Sequence, residues 1–210
     1  LFTKSYDETA IAGISSFTGE ISVTRAQVEG DVKEEFMIES TDQTVIEGDT
    51  LSLMEGIITV DLAQDISITL SGNGNVSFLS LIGEKNEDIY IQLTSPGVVA
   101  KLDVGILSED ITLTINYQKM YVTPASNSTV TIISGTPFRV ISEAGESTVS
   151  YCVEQDDCAT SMAVPAGQML EVASATTTEL PDPIDIPQGP SGAELVAADG
   201  DVSLSEGTEL

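Results

Sequence analysis

Four adjacent carboxylate pairs, Glu34-Glu35, Glu87-Asp88, Glu109-Asp110 and Asp156-Asp157, are the residues of this chain best suited to acid–base chemistry. A glycosidase-type mechanism needs two carboxyl groups facing one bond, one protonated and one ionised. Neighbouring acids on a strand point to opposite faces, so an extended backbone denies each pair that geometry. The chain has no His, which removes imidazole catalysis and every Ser–His or Cys–His nucleophile. It also has no Trp from which to build a sugar platform. The expectation is a protein that is not an enzyme.

Metal chemistry is equally constrained. Calcium takes about six to eight oxygen ligands, and neither Asp156-Asp157 nor Asp199-Gly200-Asp201 fits the spacing of a calcium loop. No cofactor is expected, with a structural calcium ion as the one metal reading open to the acidic runs. The two cysteines, Cys152 and Cys158, flank the turn-prone run Val153-Glu154-Gln155-Asp156-Asp157. Near the base of a hairpin their Cα atoms would approach within the roughly 4.4–6.8 Å of a disulfide. Two thiols without His make no complete soft-metal site. A disulfide is the expected use, and it implies an oxidising compartment outside the cytoplasm, periplasm or cell surface.

The balance of 34 Asp plus Glu against 7 Lys plus Arg gives a formal charge of −27. That charge repels phosphate backbones and anionic lipid surfaces, so nucleic acid and direct lipid binding are excluded as expected partners. A protein partner or a cell-envelope component remains. No stretch approaches the ~20 apolar residues of a membrane span. The chain opens Leu1-Phe2-Thr3-Lys4-Ser5 without Met. Residues 1–18 therefore read as a lead-in that follows a removed membrane or signal segment, from which a membrane anchor is expected in the full-length protein.

The elements that would position these groups are strands. Alternation of apolar and polar residues dominates 19–172, and sustained apolar spacing at the helical period is missing. Ile21-Ser22-Val23, Ile66-Ser67-Ile68-Thr69-Leu70, Ile89-Tyr90-Ile91-Gln92-Leu93 and Ile111-Thr112-Leu113-Thr114-Ile115 each gather apolar side chains on one face. Asp65, Asp88 and Asp110 each open Asp-Ile-x-(Ile/Leu)-x-(Leu/Ile), a weak repeat of about 22 residues. Gly74 and Gly97 follow at the same offset in the first two copies, so each unit reads as strand, turn, strand. The run Gly72-Asn73-Gly74-Asn75 reads as a hairpin turn. The predicted fold is all-β, a β-roll or short β-solenoid of stacked strand–turn–strand units, with a β-sandwich as the alternative.

After Val172 the composition changes. Pro181, Pro183, Pro187 and Pro190 are interleaved with acids and Gly, which predicts an acidic Pro/Gly-rich tail over 173–210 whose segment from Leu180 to Pro190 is mobile or merely draped over the domain.

The residues also carry a likeness. Gly19-Glu20-Ile21-Ser22-Val23, Val45-Ile46-Glu47-Gly48-Asp49-Thr50-Leu51 and the segment from Asp65 to Phe78 resemble the successive opening elements of the FecR domain, an extracytoplasmic all-β module. Downstream, Val122-Thr123-Pro124 and the strand entering Gly135-Thr136-Pro137-Phe138-Arg139-Val140 resemble its V-x-T-P and G-T-x-F-x-V motifs. Gly145 to Tyr151 resembles the next hairpin, and Ala166-Gly167-Gln168 resembles its terminal Ala-Gly-Gln element. The likeness covers 19–172. Ser134 departs from the usual basic residue before Gly135, and the turn holding Cys152 and Cys158 is an insertion.

The resemblance implies an extracytoplasmic binding or sensing module. Nothing in these motifs corresponds to a cytoplasmic anti-sigma segment, so signalling to a sigma factor is not implied. The alternative is a structural, surface-layer or assembly component of the cell envelope, suggested by the acidity, the repeat and the Pro-rich tail. The motif residues Gly19, Gly48, Asp49, Thr123, Pro124, Gly135, Thr136, Phe138 and Gly167 read as fold markers, with no ligand-binding residue identified among them. Phe138 and Val140 share a strand face opposite Arg139, and the cost of burying an unpaired Arg139 sends Phe138 inward.

Overall fold

The computed structural model describes residues 10–26, 33–84, 87–154, 157–174, 179–187, 195–198 and 201–204. Leu1-Phe2, where the lead-in is expected, lie outside them. Strands in chain order are β1 (Ile11–Ala26), β2 (Lys33–Met37), β3 (Thr44–Ile46), β4 (Thr50–Ala63), β5 (Ile66–Ser80), β6 (Ile89–Leu93), β7 (Val98–Val104) and β8 (Leu113–Tyr117). They continue with β9 (Met120–Pro124), β10 (Ser128–Ile133), β11 (Phe138–Ala144), β12 (Ser147–Glu154), β13 (Asp157–Val164), β14 (Gln168–Val172) and β15 (Ile184–Asp185). A separate hairpin pairs β16 (Leu195–Ala198) with β17 (Asp201–Leu204). No helix occurs among the described residues, so none there is long and apolar enough to cross a membrane.

The first fifteen strands form one curled sheet, an open half-barrel. Three long strands, β1, β4 and β5, are its spine, paired antiparallel along most of their length. All three bend on one line. The ladder shifts register between Thr18 and Glu20 in β1 and between Met54 and Gly56 in β4, and Gly56 faces Gly72 in β5. Gly72 sits there at φ 95°. A Cβ on Gly72 would lie 2.1 Å from the Gly97 carbonyl oxygen, so only glycine lets the two backbones meet this closely.

The bend divides β5 between two neighbours on the same edge. Residues from Ile66 to Gly72 pair with β7, and residues from Val76 to Ser80 pair with β6. From this fork one branch runs β6-β8-β9-β12-β13, and the other runs β7-β10-β11-β14-β15. The branches curl toward each other and enclose the core. Tyr117 of β8 and Phe138 of β11 join them, with ring centroids 5.7 Å apart. Phe138 is fully buried beside Val140, while Arg139 points outward and pairs with Glu171 at 2.7 Å.

The structure corrects parts of the sequence reading. The run Gly72-Asn73-Gly74-Asn75 is the bend inside the single strand β5, not a hairpin turn. A positive-φ glycine serves either purpose, and β4 runs alongside both halves of β5, which holds it extended through the bend. The third repeat unit enters its strand at Leu113, not Ile111. Pairing in this sheet is antiparallel except between β6 and β8, so the units do not stack as parallel coils of a solenoid. The tail is not merely draped. Ile184 pairs with Met169, Ile186 N–H donates to the Gly167 carbonyl at 2.9 Å, and Leu180 packs against the core.

Candidate functional surface

Alternation places one residue in two of each strand on the outside of the curl. Along most of the branch leading to β13 these outward residues carry no charge, the exception among the described side chains being Asp157 at the start of β13. One transverse row runs Thr24 (β1), Thr50 (β4), Ser77 (β5), Gln92 (β6), Asn116 (β8), Tyr121 (β9), Ser150 (β12) and Ser161 (β13), each opposite the next in the ladder. Hydroxyls of Thr50 and Ser77 lie 2.9 Å apart, Gln92 Nε2 donates to Asn116 Oδ1 at 3.1 Å, and Ser150 and Ser161 hydroxyls lie 2.8 Å apart. Tyr90, Thr114, Thr123, Thr148 and Ala163 flank this row on the same side.

The row is rigidly built. Asn116 is buried, and its Nδ2 donates to the Gln118 and Met120 carbonyls at 2.9 and 3.1 Å. Its amide is thereby oriented, with Oδ1 turned to Gln92. The rings of Tyr90 and Tyr121 lie parallel, 6.4 Å between centroids. Burial, and then a hydrogen bond with Tyr121, push the Tyr90 hydroxyl well above the usual tyrosine range. The Tyr90 phenol therefore acts as a neutral hydrogen-bonding group at any physiological pH.

The outer face of the other branch differs in kind. It carries Lys101, Asp103, Arg139, Glu143 and Glu171, with Lys101 Nζ 2.8 Å from Glu143 and Thr129 donating to Asp103 at 3.0 Å. In a chain of net charge −27, a broad surface of Ser, Thr, Tyr, Asn and Gln is the exception. Such surfaces offer short, adaptable hydrogen-bonding groups with rigid aromatic contact area and little desolvation cost, which suits a protein interface.

The motif residues are spread through the fold and do not converge on a cleft. Gly19 lies on the bend line at φ 78°, and Gly48-Asp49 form the turn into β4. Asp49 is fully buried. Its carboxylate accepts from Arg25 Nε at 2.9 Å, Arg25 Nη2 at 2.8 Å and the Ile46 N–H at 3.0 Å. Arg25 also donates to the Thr44 carbonyl at 3.0 Å and lies 5.1 Å over the Phe36 ring. The hydrogen bond to Asp49 holds the Arg25 guanidinium above its ordinary pKa against the opposing effect of burial. This is a structural knot that ties β1, β3 and β4. Thr123 is exposed on the neutral face, while Pro124 is buried at the end of β9. Gly135 and Thr136 shape the loop into β11, and Gly167 turns the chain into β14.

Cys152 and Cys158 are disulfide-bonded across β12 and β13, with Cα atoms 3.8 Å apart, which ties off that hairpin and indicates an oxidising environment. Of the calcium candidates, Asp156, Asp199 and Gly200 lie outside the described residues. Among the described residues no group of three His, Cys, Asp or Glu could hold a metal ion. Two open depressions, of about 590 and 600 Å³, lie at the bend beside Gly19, Met54 and Asn73 and between Glu171 and Leu180.

Sequence reasoning missed two features. The uncharged face was readable in principle, since the polar positions within Ile89–Leu93, Leu113–Tyr117 and Met120–Pro124 are all Ser, Thr, Tyr, Asn or Gln. Its continuity was not, because it depends on which strands lie side by side. Ser134 carried no signal as a partner. It is buried, accepting from Val98 N–H at 2.9 Å and approaching the Ser95 carbonyl at 2.8 Å, and so pins the β6–β7 turn to the end of β10.

No protein-family model and no curated protein sequence matches the chain. Among solved structures it is similar to two crystal structures of a "putative anti-sigma factor" from Parabacteroides distasonis ATCC 8503. Each has a TM-score of 0.50 and 11% sequence identity, covering 65% of this chain and 59% of that chain. The likeness is one of fold, and this chain spans less than two thirds of its neighbour's length.

Proposed function

We propose that this chain is an extracytoplasmic FecR-like binding or sensing module, non-enzymatic, that engages a protein partner or cell-envelope component through its neutral face and is membrane-tethered in the full-length protein. The observation that carries the reading is the charge-free row from Thr24 to Ser161 on a chain of net charge −27. The FecR-like motifs and the name borne by the solved neighbours support a sensing role. The disulfide supports a location outside the cytoplasm.

A photoreactive amino acid replacing Tyr121 in the full-length protein, in its own cells, tests this. A discrete cross-linked adduct is expected from position 121 and none from position 101 on the charged face. Equal adducts from both, or none from 121, would overturn the reading. The second reading, an assembly component of the envelope, draws on the open edge of the sheet at β13. It requires association between copies, which light scattering across a concentration series detects.

A further inference from the structure

We infer that β13 is a docking edge, to which a partner polypeptide adds an extended strand. The inference rests on the binding-module reading above and specifies the geometry and the partner. Among the described residues β13 is the last strand of its branch and has a strand neighbour, β12, on one side only. It leads through Pro165, Ala166 and Gly167 into β14 in the other branch without pairing to it, so the half-barrel stays open at this seam.

An exposed strand edge is an aggregation hazard that proteins blunt with charge, proline or brevity. Three other edge strands of this sheet follow that rule. β2 carries Lys33, Glu34 and Glu35, β3 is three residues long, and β15 is two residues long and contains Asp185. β13 is eight residues long, and its one charge, Asp157, stands at its first position. The run that follows, Cys158-Ala159-Thr160-Ser161-Met162-Ala163-Val164, has neither charge nor proline. In a chain in which 20% of residues are charged, β13 is thus an edge left without charge or proline over seven residues.

The uncharged outer row ends on the same strand, at Ser161, with Ala163 beside it. A strand added to β13 extends that row by one position and presents its own outward residues to Ser161 and Ala163. The paired stretch of the partner is therefore uncharged, since a charge there would be desolvated opposite small neutral side chains. The rest of the partner is basic. A net charge of −27 repels a second copy and attracts a cationic chain, so charge complementarity selects a different polypeptide over self-pairing.

The test uses the whole chain and two synthetic probes, a peptide of alternating threonine and valine flanked at both ends by lysines, and the same peptide flanked by glutamates. The lysine-flanked peptide should bind, more weakly as salt rises, and slow amide exchange in β13 selectively. The glutamate-flanked peptide should bind about tenfold more weakly or not at all. S161K/A163K, at two exposed positions, should weaken the lysine-flanked peptide by about tenfold while keeping the circular dichroism and melting midpoint of the parent. No binding of the lysine-flanked peptide, protection away from β13, equal binding by the variant, or a dimer through β13 without peptide would each overturn the inference. The cross-link at position 121 separates the two claims: an adduct that survives S161K/A163K in cells leaves the binding module standing and removes the docking edge.

Discussion

Replacing Gly72 by Ala probes the bend that splits the sheet, and Gly167→Ala supplies its control. Both glycines have positive φ, 95° and 77°. An L-residue in the left-handed region costs about 1–2 kcal/mol, so both variants should lose that much. Only Gly72 carries a steric penalty besides. Its added Cβ would lie 2.1 Å from the Gly97 carbonyl oxygen, whereas nothing lies within 4 Å of a Cβ on Gly167. Ordinary van der Waals contact requires a separation more than an ångström greater, so the β6–β7 turn must withdraw from β5. That turn is held by the Asn73 N–H to Gly97 carbonyl bond at 3.2 Å and the Gly97 N–H to Ser134 carbonyl bond at 2.8 Å. Losing these adds about 0.5–1.5 kcal/mol each. Gly72→Ala should then cost about 2–5 kcal/mol and Gly167→Ala about 1–2 kcal/mol. Urea denaturation followed by circular dichroism measures both. Equal midpoints for the two variants would show that the close approach of Gly72 to Gly97 does not hold the branches in place.

Phe138→Ala removes a fully buried ring stacked on Tyr117 and should cost about 3–5 kcal/mol, read as a lowered urea midpoint; an unchanged midpoint would contradict its burial between the branches. Burial raises the Glu143 carboxyl, but hydrogen bonds from Lys101 and Thr131 outweigh it and hold its pKa below the ordinary value. Its stabilising effect is thus present above the unfolded pKa and lost as pH falls through the lower folded one. The gap between the native chain and Lys101→Met should therefore narrow below roughly pH 4, from less than about 0.5 kcal/mol because the pair is exposed. Reduction of Cys152–Cys158 should cost about 2 kcal/mol, and thiol titration of the unfolded, unreduced chain should find no free thiol. Truncation after Val172 should cost about 1–2 kcal/mol, through loss of the half-buried Leu180 and of β15; an unchanged thermal midpoint would mean the tail does not pack on the core.

Much of the fold was legible locally. Alternation identified the first half of β5 and β6 as strands, and it turned Phe138 inward and Arg139 outward, because side chains on a strand alternate whatever it pairs with. Gly48-Asp49 was legible as a turn, since Asp49 bonds a backbone amide three residues away. The position of Cys152 and Cys158 about a short acidic turn was likewise enough to suggest their bond.

Tertiary structure decided what depends on distant partners. Arg25 lies 24 residues from Asp49, and no spacing rule pairs them. A glycine run with positive φ reverses a strand or bends it with equal ease, so whether Gly72-Asn73-Gly74 makes a hairpin or a fork rested on β4 running alongside both halves of β5. The same holds for the candidate surface. Each strand's sequence shows which of its residues are polar and which are apolar, but a face belongs to a sheet. Only the order β6-β8-β9-β12-β13, with β6 and β8 parallel, brings Tyr90, Gln92, Asn116, Tyr121, Ser150 and Ser161 side by side and leaves β13 at the edge. Strand order is set by how the apolar faces share one core across long loops, and that is a property of the whole chain at once.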